Sequence, residues 1–334
     1  MGRRRELQLR KRQAIQTVAA MFGMIGLVLY LMKETSSLQV ISATSPVRRS
    51  CREPIDWRVQ KIEDLTLEQI IEYVEWTNST SCRLTHHIGG HVHPQGVDGQ
   101  KAVCMDPLIR PEANTECLVY SFGISNEWTF DEAAELMGCR IYAFDPSMNE
   151  KIHDHSPKIH FYPYGLGDRD ERWNKDPNMN WTMKSLESVY YNLLKHEDRV
   201  IDYLKIDIES SEWIVLPQIL SSGMMDRVRQ LGLEVHLPEQ GGLEEFRQCV
   251  RILKSLEDYG LVRFDSKYNP WSINWNPDVD YEGFFAYEIA WLNPRLFRTG
   301  AIATTSIRPH LKITKRKKIH NSANIKKSKY RNLT

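Results

Sequence analysis

From Leu65 to Trp291 the chain alternates short apolar runs with amphipathic stretches. The runs at 117–125, 140–146, 158–163, 203–208 and 228–236 are apolar and β-prone, and they end in glycine, proline, acid or histidine. A short apolar run that breaks into such residues is the signature of a buried parallel strand whose carboxyl end meets a crevice. Between the runs, residues 65–76 place Leu67, Ile70, Ile71 and Val74 near one helical face. Residues 128–137 form a second helical stretch that stops at Gly138, as a helix end should. Further helices are predicted at 213–220, near Gly223, and at 243–259, closed by Gly260, with a short one opening at Met183–Val189. The last two apolar runs, 261–264 and 286–291, have no helix between them, only a long aromatic-rich loop, and predict an antiparallel hairpin at one sheet edge. The class is therefore α/β: a doubly wound, seven-stranded sheet, mostly parallel with an antiparallel edge strand.

The ends change the picture. Arg3, Arg4, Arg5, Arg10, Lys11 and Arg12 precede an apolar run from Val18 to Met32, followed closely only by Lys33. With Ala14 and Ile15 the run approaches the ~20 residues that span a bilayer. Basic residues on its near side orient the N-terminus to the cytosol. The expected organisation is a cytosolic tail at 1–12, a transmembrane signal anchor at 13–32, a stem at 33–62, a folded domain at 63–300 with its core at 117–292, and a disordered basic tail at 301–334. This is a single-pass type II protein of the Golgi or endoplasmic reticulum with its domain in the lumen. The small residues Ser42 to Ser45 leave open a cleaved signal peptide and secretion. Six cysteines fit an oxidising compartment, but 15 pairings are possible and the sequence does not choose among them. Asn78, Asn180 and Asn332 begin glycosylation sequons. The net charge of +1 over 334 residues gives no reason to expect a nucleic-acid partner.

Candidate chemistry concentrates where strands end. In the stretch Tyr203 to Trp213, Asp207 and Glu209 alternate on one side of an extended segment. The first strand breaks at Gly123, and an acid, Asp145, follows about 20 residues later, the layout of a dinucleotide-type fold. The other glycines of a pyrophosphate cradle are missing. A nucleoside carrying a sulfonium has no phosphate and does not need them. His87 and His91 have helical metal spacing, but Gly89-Gly90 between them argues for a loop with solvated histidines. No Cys/His cluster has zinc spacing, and no resident metal is expected.

On Leu204-Lys-Ile-Asp-Ile-Glu-Ser-Ser-Glu-Trp213 the chain resembles FkbM-type enzymes, and over 117–291 it resembles Rossmann-like class I S-adenosylmethionine-dependent methyltransferases. With its anchor it is most similar to the lumenal methyltransferase-like protein 24 family. Ser210 stands where that signature usually has glycine. The resemblance implies S-adenosylmethionine as cofactor. Ser121, Phe122 and Gly123 would line its methionine end, Asp145 would take the ribose hydroxyls, and the segment with Gly167 and Asp168 would lie near the adenine. Asp207 would face the cofactor amino group or the acceptor. Glu209 and His236 are the candidate catalytic bases for O-methyl transfer, because a histidine titrates near neutral pH. The acceptor, a glycan, small molecule or protein, is unreadable. Two rivals stay open: an inactive binding module, and a type II glycosyltransferase using Asp278-Val279-Asp280. Asp207, Glu209 and His236 could alternatively hold a divalent cation.

Overall fold

The computed structural model describes residues 56–57, 59–112, 117–173 and 180–298. The expected span at 13–32, most of the stem and the basic tail lie outside them. Among the described residues no helix is long and apolar enough to cross a membrane. The chain divides into two units, 1–60 and 61–334. Of the first, only a turn is described, closed by Val59 N–H donating to the Asp56 carbonyl. All elements below belong to the second.

Eight strands make the main sheet: β1 Leu118–Phe122, β2 Arg140–Phe144, β3 His153–Asp154, β4 Ile159–Tyr162, β5 Tyr203–Ile206, β6 Gln230–His236, β7 Val262–Tyr268 and β8 Ala286–Leu292. Their spatial order is β7-β8-β6-β5-β1-β2-β4-β3. The run β6-β5-β1-β2-β4 is parallel throughout. The chain builds outward from β1 through β2 and β4, then returns to lay β5 on the other side of β1. That reversal makes a crevice at the carboxyl ends of β1 and β5, where open α/β sheets bind ligands.

One expectation about the sheet is corrected. Among the described residues the sheet has eight strands, because the two-residue ribbon β3 pairs antiparallel with β4 and is too short to show a period in sequence. The antiparallel hairpin expected at one edge is present, with β7 as its outer strand, so β8 itself is not at the edge. It lies between β6 and β7 and pairs antiparallel with both. All seven of its residues are buried, which suits a strand flanked on both sides, whereas β7 is only partly buried.

Four helices pack around the sheet: α1 Leu67–Glu75, α2 Thr129–Leu136, α3 Glu212–Ser221 and α4 Leu243–Asp258. Thr66 and Gln69 close a reciprocal capping box on α1. Phe130 and Ala134 of α2 enter a core with Val119, Ile141, Ala143, Ile159, Phe161 and Tyr203. The alternate residues, Tyr120, Tyr142 and Phe144, form an aromatic stripe on the other face, joined by Tyr190 and His196. The short helix expected from Met183 is also corrected. Met183 belongs to a strand, Trp181–Lys184, in a small sheet with Tyr164–Leu166 and Glu171–Trp173, and Ser188–Leu193 then forms a π-helical turn. Met183 packs where Gly165 leaves room for it, a contact no helical period reveals.

Of the possible disulfides, Cys82–Cys104 and Cys117–Cys139 are formed, and Cys249 is a buried free thiol. Cys51 lies outside the described residues. The His87 region is not a loop of solvated histidines. His87 sits in strand Thr85–Ile88 with Nε2 2.9 Å from Asp265, and His91 sits in strand His91–His93, 3.4 Å from Glu127.

Candidate functional site

The crevice between β1 and β5 opens into a cavity of about 520 Å³. Gly123 fixes its floor. Its φ of +79° is a left-handed conformation, and a Cβ there would strike the carbonyl oxygen of Asp207. Only glycine lets the two strand ends approach this closely. Gly123 N–H donates to the Phe144 carbonyl at 2.9 Å, and its carbonyl accepts from Lys205 Nζ at 2.5 Å. Asp207 N–H donates to the Phe122 carbonyl. Beyond Asp207 the backbone takes two further left-handed residues, Glu209 at +51° and Ser210 at +70°. The glycine usual at the second position in the related signature would relieve that conformation.

Asp145, at the end of β2, is buried and spends its carboxylate on its own protein. One oxygen accepts from Ile124 and Ser125 N–H at 2.9 and 2.7 Å, and the other from Ser147 N–H and Oγ at 2.7 and 2.6 Å. A carboxylate has about four acceptor positions, so all are occupied. The acid expected to hold ribose instead laces the β1 and β2 loops together. Only the Ser147 hydroxyl, which can rotate, could yield its place.

The polar end of the cavity is a charge network that sequence reading did not find. Lys101 is fully buried on strand Lys101–Cys104. Its Nζ lies 2.5 Å from Glu288, 3.3 Å from Asp207 and 3.7 Å from Glu234. The strand is pinned by Tyr203 OH, which donates to the Ala102 carbonyl, and by the Gln230 amide, which bonds both the N–H and the carbonyl of Cys104. Lys205 approaches the same Asp207 oxygen at 3.9 Å. Burial alone would raise the Asp207 pKa, but Lys101 and Lys205 outweigh it and hold it at about 2. Glu234 and Glu288 go the other way. Burial and the neighbouring Asp207 carboxylate raise both against the pull of Lys101, and Glu234 adds to the rise at Glu288.

His236 ends β6. Its Nε2 is 3.5 Å from Glu209 and its Nδ1 is 3.4 Å from the buried Glu212. Burial pulls its pKa down, but the Glu212 carboxylate, with Glu234 and Glu209 behind it, pushes it up to about 9. At neutral pH the free ring therefore carries a proton, so its expected role as the base does not follow. Glu209 stands at the rim with a side chain 87% exposed.

Phe122, Gly123, Asp145, Asp207, Glu209 and His236 thus line one cavity. Ser121 does not, being fully buried beneath the floor. Gly167 and Asp168 also fall outside the lining, where their neighbours Gly165 and Leu166 stand instead. The missed residues, Lys205, Glu234 and Glu288, left one signal: a charge inside an otherwise apolar strand. Asp278 and Asp280 sit beside the turn of a hairpin, Ile273–Asn276 with Tyr281–Phe284. Asp278 accepts from Gly241 N–H at 2.8 Å, and neither aspartate lines the cavity.

A mostly parallel α/β sheet with a glycine-floored cavity at its reversal point is a Rossmann-like nucleoside-binding architecture. A family model described as "Methyltransferase domain" matches residues 68–278, and the chain belongs to that family. Two curated relatives, from Homo sapiens and Rattus norvegicus, both carry the description "Probable methyltransferase-like protein 24". Each is 26% identical, over 209 and 208 residues, covering 58% of this chain and 56% of the relative. The chain thus matches about half the length of these relatives, and the family resemblance read from the strand signature holds. A solved chain from Streptococcus thermophilus covers 59% of this chain and 70% of its own at 11% identity, with a TM-score of 0.30 that carries no argument.

Proposed function

We propose that this chain transfers a methyl group from S-adenosylmethionine to an oxygen of an acceptor in the lumen of the secretory pathway, held there by the segment at 13–32. The observation that carries the reading is the contact of Gly123 with Asp207, which sets a binding floor at the sheet's reversal point. The two buried disulfides support an oxidising compartment. The donor set fits the cofactor. Phe122 and Phe144 stack at 4.6 Å, and with Pro146, Leu166, Trp181 and Met183 they offer apolar surface to a flat base. Asp207, Glu234 and Lys205 supply both signs of charge for an amino-acid zwitterion. When bound, S-adenosylmethionine supplies a methyl carbon activated by its sulfonium.

The protein's own work is positioning and proton removal. Glu209 stands at the exposed mouth, where it can take a proton from an entering hydroxyl. Asp207, kept ionised by two lysines, presents a fixed negative charge to the cofactor's ammonium. Trp271 and Ser272 close one side of the cavity and would meet the acceptor. One observation favours a second reading, an inactive binding module: Asp145 has no acceptor position free for ribose.

Isothermal titration of the full-length chain with S-adenosylmethionine, S-adenosylhomocysteine and nucleotide sugars tests this. Binding of the first two and methyl transfer to a lumenal extract are expected. Binding of a nucleotide sugar with no binding of S-adenosylmethionine would overturn the proposal. Cofactor binding with no methylated product in any fraction would favour the module.

A further inference from the structure

We propose that Asp207, Glu209 and His236 bind a divalent first-row cation at the cavity mouth, and that this cation holds an acceptor bearing two neighbouring oxygens. The inference deepens the methyltransferase reading and rests on it for the cation's role. One ligand atom from each of the three residues lies within 4.8 Å of the other two. All three line the cavity, so a ligand there is open to an incoming acceptor.

An independent observation comes from behind the ring. Glu212 is completely buried at the start of α3, and its Oε2 has no hydrogen-bond partner among the described residues. Its Oε1 is fixed by Ile208 N–H at 2.9 Å and lies 3.4 Å from His236 Nδ1. That is an ion-pair distance and not a formed hydrogen bond, since Nδ1 has no hydrogen-bond partner among the described residues, and a carboxylate on the far nitrogen is the arrangement that orients a metal-binding imidazole. Here Nε2 faces Glu209 across 3.5 Å. The two lysines both approach Oδ2 of Asp207.

One imidazole with two carboxylates suits manganese or zinc better than calcium, which prefers oxygens alone. With the cation bound, Glu209 would be its ligand and not the free base, and the cation would clamp neighbouring oxygens, such as those of a vicinal diol, and ease loss of the proton to solvent from the one to be methylated. Protonation and cation binding compete for the same ring nitrogen.

Manganese titrated into the full-length chain and followed by electron paramagnetic resonance tests the site, with zinc competition as a second probe. One manganese per chain is expected. His236→Ala and Glu209→Gln should each weaken it at least tenfold, and Glu212→Gln by about tenfold through the ring orientation. If His236→Ala does not fold, His236→Gln serves in its place, with thermal melting as the check. A chain that binds S-adenosylmethionine but neither metal overturns the cation site and leaves the methyltransferase reading standing. Unchanged manganese affinity in the histidine variant also overturns it. Manganese binding without S-adenosylmethionine binding keeps the site and removes the enzyme reading.

Discussion

Glu234 and Glu288 stand directly opposite one another on β6 and β8, and the Lys101 ammonium reaches both from outside the sheet. Like charges in register destabilise a sheet unless a cation lies between them. Lys101→Met would leave Asp207, Glu234 and Glu288 without the cation they share. A loss of about 3–5 kcal/mol is expected, the usual cost of breaking a buried ion pair by removing one partner. Urea denaturation measures it. The loss should be smaller at pH 5 than at pH 8, because the two glutamates protonate more readily, and Lys101→Met with Glu288→Gln should recover part of it.

That network shows where sequence reading stops. β1, β2, β4, β5 and β6, and helices α1 to α4, were legible because burial on both faces or on one stripe imposes a period. Gly123 and Asp207 were legible because a strand that ends in glycine or acid exposes its chemistry. Lys101 was not. It lies in a four-residue strand whose partner in space, Glu288, is 187 positions away. The placement of β8 inside the sheet was equally hidden, since an antiparallel hairpin does not say which of its strands lies outermost. The crowding of Asp145 was hidden for a related reason: the acid was visible, but the four donors around it were not.

Asp131, in the first turn of α2, is fully buried, and burial pushes its pKa up to about 6 against the pull of Lys205. Its folded value is raised above the unfolded one, so the folded state binds more protons between about pH 4 and pH 6. Its contribution is fully present below that window and is lost as pH rises through 6. Asp131→Asn should therefore flatten the fall in stability between pH 4 and pH 7.5, by on the order of 2–3 kcal/mol at the upper end. Thermal melts of both chains across that range measure the difference. Parallel curves would show that another group sets the slope.

Cys82–Cys104 ties the strand that carries Lys101 to the segment before Thr85–Ile88, across a sequence separation of 22. Closing a loop of that size stabilises a fold by about 3 kcal/mol in the chain-entropy account. Replacing both cysteines by serine should cost about that much and loosen the Lys101 network with it. Alkylation followed by mass mapping gives a second measurement. Among the described cysteines only Cys249 should be labelled, and only on unfolding, because it is buried and its thiol pKa is pushed up to about 12.

Ser147 offers the sharpest test of how the cavity meets a ribose. Its hydroxyl takes one of the four acceptor positions on Asp145, and it is the one donor there that a side-chain rotation can withdraw. If a ribose hydroxyl replaces it, Ser147→Ala frees that position in advance, and S-adenosylmethionine should bind as tightly as before or a few-fold more tightly. Asp145→Ala should do the opposite and more. It removes the ribose acceptor and also releases Ile124 and Ser125, so cofactor binding and stability should fall together. Titration calorimetry and melting on the two variants separate the cases. Weaker binding in Ser147→Ala would make the hydroxyl itself a ligand contact. Unchanged binding in Asp145→Ala would place the ribose elsewhere in the cavity and leave Asp145 as a loop clamp alone.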